Sequence, residues 1–423
     1  MRQIGANPQS VQTGIFVNLL LDTFAPRSLK IVALKRTLTI CLAALLIYSC
    51  GAGGKKEASS SHNASQDTVP APYLAPDSIK YYHDKVEHFF ESNHFLNNFS
   101  GGIIIAKNGV PVFEYYGGLE DRTLKDSVDP ESAFQIASTS KPFTAAAVLQ
   151  LVEQGKLSLD DKVSKYFPGF PYTQVDIRSL LNHRSGLPNY INYMDPGTDK
   201  QKRWKRDSLA TNKDVINSLL TWNVPQSYRF NVHFSYCNTN YVLLASIIEK
   251  VTGVPFPQYM QKNFFDRFGM THTYIKAIGD TASNISYQRN RFVYAEDFSD
   301  GPYGDKNIYS TPRDLLKWDQ AWYNGQVLSQ QWTDSAYTPY SNERPSMHNY
   351  GLGWRLLFTP TKKKVVYHNG HWHGFNSGFA RLTEERATII MLSNNSNAAV
   401  YPISRALYNI FGNYDGKHEE DEE

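Results

Sequence analysis

A serine stands three places before a lysine in Ser138-Thr139-Ser140-Lys141, where a polar segment gives way to the apolar run "PFTAAAVLQL". On a first helical turn those two side chains would face the same way, close enough for an amine to take a proton from a hydroxyl. A serine hydroxyl is a weak nucleophile until a neighbouring base accepts that proton. A lysine can serve once burial and nearby cations lower its pKa. A helix N-terminus adds exposed N–H groups suited to an oxyanion. The plainer alternative is that Ser138 or Ser140 caps the helix and Lys141 is solvated. Ser138/Lys141 is the only Ser-x-x-Lys pair in the chain.

Other chemistries can be tested against the same sequence. No Gly is followed two places later by Ser, so there is no Gly-x-Ser-x-Gly nucleophile elbow. His-Glu-x-x-His, Cys-x-x-Cys and the phosphate-cradling Gly-x-x-x-x-Gly-Lys are absent as well. One rival remains in "HNGHWHGF", where His368, His371 and His373 cluster and three imidazoles could bind zinc. Alternation on a strand would put His371 and His373 on one face and His368 on the other, with no nearby carboxylate to complete a ligand set. No metal and no cofactor are therefore expected.

The elements that must carry these residues are legible in outline. "GGIIIAKNGVPVFEYYGG" (101–118) reads as two strands around Asn108-Gly109, a strong hairpin signal. Towards the C-terminus "LGWRLLF" (352–358), "KVVYH" (364–368), "FNSGFARL" (375–382) and "RATIIMLS" (386–393) are strand-like. Between them lie helical segments. The segment after Lys141 has Pro142 near its start and Gly155 as a stop, and "YVLLASIIEKVTG" spans 241–253. "TPRDLLKWDQAWYNG" (311–325) has Thr311 as cap, Pro312 in the first turn and Gly325 as stop. The expected fold is α/β: an antiparallel sheet drawn from both chain ends and flanked by helices, beside a mainly helical lobe. A site would lie in the seam.

Composition bounds the rest. The chain has 423 residues, 41% hydrophobic and 20% charged, with 27 Tyr and 23 Phe that suit carbohydrate or peptide surfaces without proving either. The net charge is +3, and residues 1–37 alone carry +4, leaving the remainder near −1. No basic stripe of a nucleic-acid binder is present. Cys41, Cys50 and Cys237 make no disulfide framework. "LTICLAALLIYSC" (38–50) follows Lys35-Arg36 and is too short to span a bilayer as a stable helix, which reads as an export signal. Its end at Cys50-Gly51 resembles the lipobox of bacterial lipoproteins, which implies lipidation of Cys50. Residues 1–50 are thus expected to be a leader and signal peptide, 51–76 a flexible linker, 77–412 one globular domain and 413–423 an acidic disordered tail. The expected location is the periplasmic or cell-surface side, with a lipid anchor in the membrane.

With these residues in view, the chain from about 80 to 412 resembles the serine β-lactamase and penicillin-binding-protein superfamily. The likeness is greatest to the branch of class C β-lactamases, D,D-carboxypeptidases and D-aminopeptidases. Its first motif, Ser-x-x-Lys, matches Ser138 to Lys141. Its second, Tyr-x-Asn, matches Tyr236-Cys237-Asn238 within "HFSYCNTNYVLLASIIEKVTG". Tyr190, Tyr340 and Tyr367 also begin a Tyr-x-Asn, and the setting selects Tyr236. The third, Lys-Thr-Gly or His-x-Gly, is met by His368-Asn369-Gly370. The resemblance implies Ser138 as nucleophile, Lys141 as its base and Tyr236 as proton relay, a phenol whose pKa adjacent cations could depress. It implies substrate binding by Asn238, His368 and Gly370, and an oxyanion hole from the backbone N–H groups of Ser138 and His371. His183 and Ser185 in "NHRSGL" read as a turn that supports the site. His368 in place of lysine would grip a substrate carboxylate only in its charged fraction near neutral pH.

The expected activity is a serine hydrolase working through an acyl-enzyme on cell-wall D-peptides or related amides and esters, a peptidoglycan-derived peptide or similar small molecule. An esterase or β-lactamase on the same site is the alternative. A non-catalytic wall-binding or sensor module that keeps the fold is the alternative of another class.

Overall fold

The computed structural model describes residues 72–197, 204–205, 208–282, 284–288 and 292–416. The leader, Cys50, most of the linker and residues 417–423 of the acidic tail lie outside the described residues. Seven strands form the main sheet: β1 (Gly101–Lys107), β2 (Val110–Gly117), β3 (His348–Tyr350), β4 (Arg355–Phe358), β5 (Lys364–Trp372), β6 (Phe375–Leu382) and β7 (Ala387–Ser393). Their spatial order is β2-β1-β7-β6-β5-β4-β3, antiparallel throughout. Strand β1 from the N-terminal end pairs with β7 from the C-terminal end, Gly101 opposite Ser393. The sheet is therefore closed by contacts nearly three hundred residues apart in sequence.

The β1–β2 hairpin turns at Asn108 (φ 52°) and Gly109 (φ 78°), both in the left-handed region that a two-residue turn of this twist requires. Along β1 the alternation of side chains sorts the isoleucines. Ile103 and Ile105 join one core with Val86, Phe90 and Leu407, while Ile104 joins the larger core with Phe143, Leu315 and Trp318. Each buried isoleucine contributes roughly 1.5–3 kcal/mol. On the first face lie α1 (Pro76–Asn93) and a C-terminal helix over Val400–Ala406. Among the helices in the middle of the chain are α2 (Lys141–Glu153), α3 (Asn238–Thr252) and α4 (Pro312–Tyr323). Of these, α4 packs on the second face of the sheet against β1 and β7.

Helix boundaries follow the sequence signals. Thr311 accepts a hydrogen bond from the Asp314 amide to cap α4, with Pro312 in its first turn and Gly325 left-handed just beyond its end. Gly253 closes α3 at φ 70°, and Gly155 (φ 68°) follows the end of α2. Strand β5 is longer than expected and runs through all of "HNGHW". Among the described residues no helix is long and apolar enough to cross a membrane.

Candidate active site

Ser138 does not sit on the first turn of an α-helix, as its sequence suggested. It lies on a tighter 3₁₀ turn, Ala137–Ser140, which feeds into α2 at Lys141. Ala137 enters that turn at φ 48°, a left-handed conformation that costs a residue with a Cβ about 1–2 kcal/mol. The turn is pinned to the sheet behind it. Ser377 on β6 donates to the Ile136 carbonyl at 2.7 Å, and its hydroxyl lies 2.8 Å from that of Thr139. Ser140 accepts from the Ile308 amide at 3.3 Å. These bonds hold the strained turn, and of its four residues Ser138 alone is partly open to solvent.

Lys141 is fully buried beneath Ser138. Its Nζ lies 2.8 Å from Asn238 Oδ1, 2.8 Å from the Asp305 carbonyl oxygen and 3.0 Å from Ser138 Oγ. Burial, assisted by the Arg355 guanidinium and opposed by Asp305, brings its pKa down to about 7. The proton count then has a direction. Asn238 Oδ1 and the Asp305 carbonyl can only accept, so a neutral amine keeps its two N–H bonds for them and turns its lone pair to Ser138 Oγ. On the other side of Ser138, the Tyr236 hydroxyl donates to Oγ at 2.8 Å. Its ring has Lys141 Nζ 4.8 Å from the centroid and the Arg355 guanidinium carbon 5.1 Å away.

The phenol of Tyr236 departs from expectation. Burial pushes its pKa well up, and Arg355 and the bond to Ser138 only partly counter that. Tyr236 therefore stays a protonated donor. Cations near a phenol lower its pKa, but here desolvation outweighs them.

His368 departs too. It is fully buried, its Nδ1 2.8 Å from the Asn369 carbonyl oxygen and its Nε2 3.1 Å from the Tyr350 hydroxyl. Both nitrogens are occupied, and burial with Arg355 and Lys141 nearby holds its pKa well below the ordinary value. His368 is a neutral prop rather than a partial cation for a carboxylate. A cation that packs on the Tyr236 ring is Arg355 on β4, which the sequence did not single out. It was hidden inside an apolar strand pattern, "GWRLLF", and only the sheet order brings β4 beside β5 and the site. Arg355 lines a cleft with His233, Phe234, Ser346, His348, Asn349 and Tyr350.

Gly370 is required by close approach. A Cβ there would lie 2.2 Å from the Ile136 carbonyl oxygen and 3.0 Å from the Ser138 amide nitrogen. Strand β5 thus passes against the backbone of Ser138, and the next amide on the strand belongs to His371. His183 sits at φ 57° in its turn, with Nδ1 3.2 Å from the Cys237 amide nitrogen and 3.1 Å from Asn240 Nδ2, and its ring is 4.4 Å from that of Tyr236. Ser185 donates to Asn240 at 2.7 Å. This agrees with a turn that supports the site.

The histidine cluster does not converge on one point. His371 Nδ1 lies 3.1 Å from Asn376 Oδ1, whereas His373 leaves the strand at φ 52° and pairs with both oxygens of Asp300 at 3.0 Å. The expectation that no carboxylate lies near is corrected here. Asp300 and Asp297 arrive from a loop more than seventy residues earlier and group with His373. Asp300 also accepts from the Trp372 indole at 2.6 Å, and Asp297 caps Ser299, so both carboxylates already have protein donors.

Comparison with known proteins places the chain as a whole. Residues 96–410 match the Beta-lactamase family. Penicillin-binding protein 4* of Bacillus subtilis (strain 168) is 32% identical over 329 residues, covering 74% of this chain and 72% of that protein. The crystal structure of a penicillin binding protein from Bacillus halodurans superposes with a TM-score of 0.66 at 26% identity, over 77% of this chain and 100% of that one. The D-amino acid amidase from Ochrobactrum anthropi SV3 shares the fold, with a TM-score of 0.64 at 22% identity over 78% of this chain and 98% of that one.

Proposed function

The chain belongs to the β-lactamase family and is a serine hydrolase of that family, and on this premise we propose that it acts through an acyl-enzyme on Ser138, cleaving a D-peptide or a related amide or ester that carries a carboxylate. One observation carries the reading: Ser138 Oγ is held between a buried amine at 3.0 Å and a protonated phenol at 2.8 Å. Neutral Lys141 takes the Ser138 proton as Oγ attacks the carbonyl carbon. The backbone N–H groups of Ser138 and His371 face the developing oxyanion. The C–N or C–O bond then breaks. The leaving atom takes the proton that Lys141 removed, relayed by the Tyr236 hydroxyl, and water later releases the acyl group by the reverse sequence.

Arg355 supports the carboxylate in this reading. It lines the cleft together with Arg344 and is the one of the two that packs on the Tyr236 ring, and a guanidinium matches a carboxylate in a paired geometry. That chemistry fits the free C-terminus of a peptide and the carboxylate of a penicillin alike, in keeping with the penicillin-binding relatives. We also propose that the chain is exported, with residues 1–50 as leader and Cys50 as the lipidated residue ahead of the linker and catalytic domain. The growth of a labelled fatty acid on the protein, lost in Cys50→Ala, tests the anchor.

The test of activity is intact mass spectrometry of the full chain, followed in time after adding benzylpenicillin, beside Ser138→Ala. The expected result is a gain of one penicillin mass that requires Ser138. A long-lived adduct marks a penicillin-binding peptidase and a fleeting one with drug consumed marks a β-lactamase. No adduct from penicillins, D-peptides or simple esters would overturn the acyl-enzyme reading and leave a binding module.

A further inference from the structure

Behind Lys141 lies a buried ion pair that the reaction does not use. Asp305, whose backbone carbonyl holds Lys141, is fully buried, and its carboxylate faces Lys306 Nζ at 3.2 Å and the Tyr190 hydroxyl at 3.2 Å. Lys306 is 3% exposed, and its ammonium also bonds to the Tyr190 hydroxyl and lies 4.5 Å from the Trp372 ring centroid. Trp372 follows His371 at the end of β5. A lysine so covered cannot reach a substrate. The desolvation of two buried opposite charges can outweigh their attraction, so stability alone does not account for the pair.

We propose that Lys306 is a positioning residue for the base: by pairing with Asp305 it cancels a buried carboxylate that would otherwise hold Lys141 protonated, and it fixes the carbonyl to which Lys141 donates. The inference rests on the reading of Lys141 as the base of Ser138. The charges around Lys141 sort into two sets. Arg355 disfavours its proton, and Asp305 favours it. The other titratable neighbours are Tyr236, Cys237 and Tyr241, together with His183 and His368, which burial keeps neutral. Asp305 is thus the dominant anion facing the amine, and Lys306 is its ion-pair partner. An unpaired opposite charge close to an amine in a desolvated site raises its pKa by about one unit or more.

The test is a set of three variants read in two ways. Lys306→Met removes the cation, Asp305→Asn removes the anion, and the double variant removes both. The first readout is the pH midpoint of Ser138 acylation. The second is the titration of Lys141 by NMR of 13C-lysine-labelled protein, its signal assigned by its loss in Lys141→Met. Lys306→Met should raise both midpoints by about one pH unit, slowing acylation about tenfold on the acid side. Asp305→Asn should lower them, and the double variant should return close to the wild type. A purely structural pair would lower the rate in all three variants without moving the midpoints in opposite directions, and that result would overturn the inference. If Lys306→Met does not fold, Lys306→Gln, which also removes the charge, is read in its place: a raised midpoint is expected, and an unmoved one overturns the inference. If Lys141 titrates as expected but no acylation occurs in any form, the acyl-enzyme reading fails while the coupling of Lys306 to Lys141 stands.

Discussion

Arg355→Gln separates two tasks that the structure gives to one guanidinium. Lys141 Nζ and Arg355 Cζ lie 4.8 and 5.1 Å from the same Tyr236 ring centroid, so the two charges are at most about 10 Å apart. At an effective dielectric of about 20 that separation corresponds to roughly 1.7 kcal/mol of repulsion, a little over one pKa unit. Arg355 is partly open to solvent, and screening reduces the figure to about half to one unit. The sign follows from the base. Lys141 must be neutral to act, so kcat/KM rises with pH through its pKa of about 7. Removing Arg355 lets Lys141 hold its proton longer and moves that rise to higher pH. With an uncharged ester such as p-nitrophenyl acetate, this shift of the acid limb should be the main effect. With a substrate that carries a carboxylate, a further loss of about 1.5–3 kcal/mol is expected at every pH, roughly ten- to hundredfold in kcat/KM. The assay is the pH profile of kcat/KM for both substrates in wild type and variant. An unmoved midpoint would refute the electrostatic reasoning, and equal losses on both substrates would refute the carboxylate grip.

Three further outcomes follow from the same geometry. Tyr236→Phe should slow acylation by about 10² to 10⁴ while the fold is kept, and because burial holds the phenol protonated the wild-type profile should show no loss from its ionisation as pH rises through the ordinary tyrosine range. Gly370→Ala should abolish the penicillin adduct seen by mass spectrometry, because the new Cβ must displace the Ile136 carbonyl and the Ser138 amide at 2.2 and 3.0 Å. Asp319→Ala should cost about 3–5 kcal/mol in denaturant unfolding, because it strands Arg381, whose side chain is 2% exposed and bonded to Asp319 at 2.6 Å. An unchanged midpoint of unfolding would show that Arg381 finds another partner.

Much of the candidate site was legible in the chain because its parts are local. Ser138 and Lys141 are three residues apart at the entry to an alanine-rich helix, and Tyr236 and Asn238 stand at the mouth of the helix that follows them. Local propensity sets such residues at a helix entry, as local signals fixed the Asn108-Gly109 turn and the bounds of Pro312–Tyr323, whereas the 3₁₀ turn that presents Ser138 depends on its bonds to the sheet. The strand at 387–393 could be read for a similar reason, since an apolar, β-branched run between turns has few other ways to bury its side chains.

What the sequence could not decide is every quantity that depends on who stands beside whom. The neutrality of His368, the protonation of Tyr236 and the lowered pKa of Lys141 come from desolvation, and desolvation is a property of the closed packing between sheet and helices. Arg355 was one residue of the strand-like run 352–358 until the order β5-β4-β3 set it beside the cleft. Asp300 lies more than seventy residues from His373, and Asp305 more than one hundred and sixty from Lys141, so no spacing rule could pair them. Residue types and short spacings determined which chemistry this chain could attempt. The tertiary structure alone decided which proton sits where, because charge in a protein is set by the neighbours that replace water.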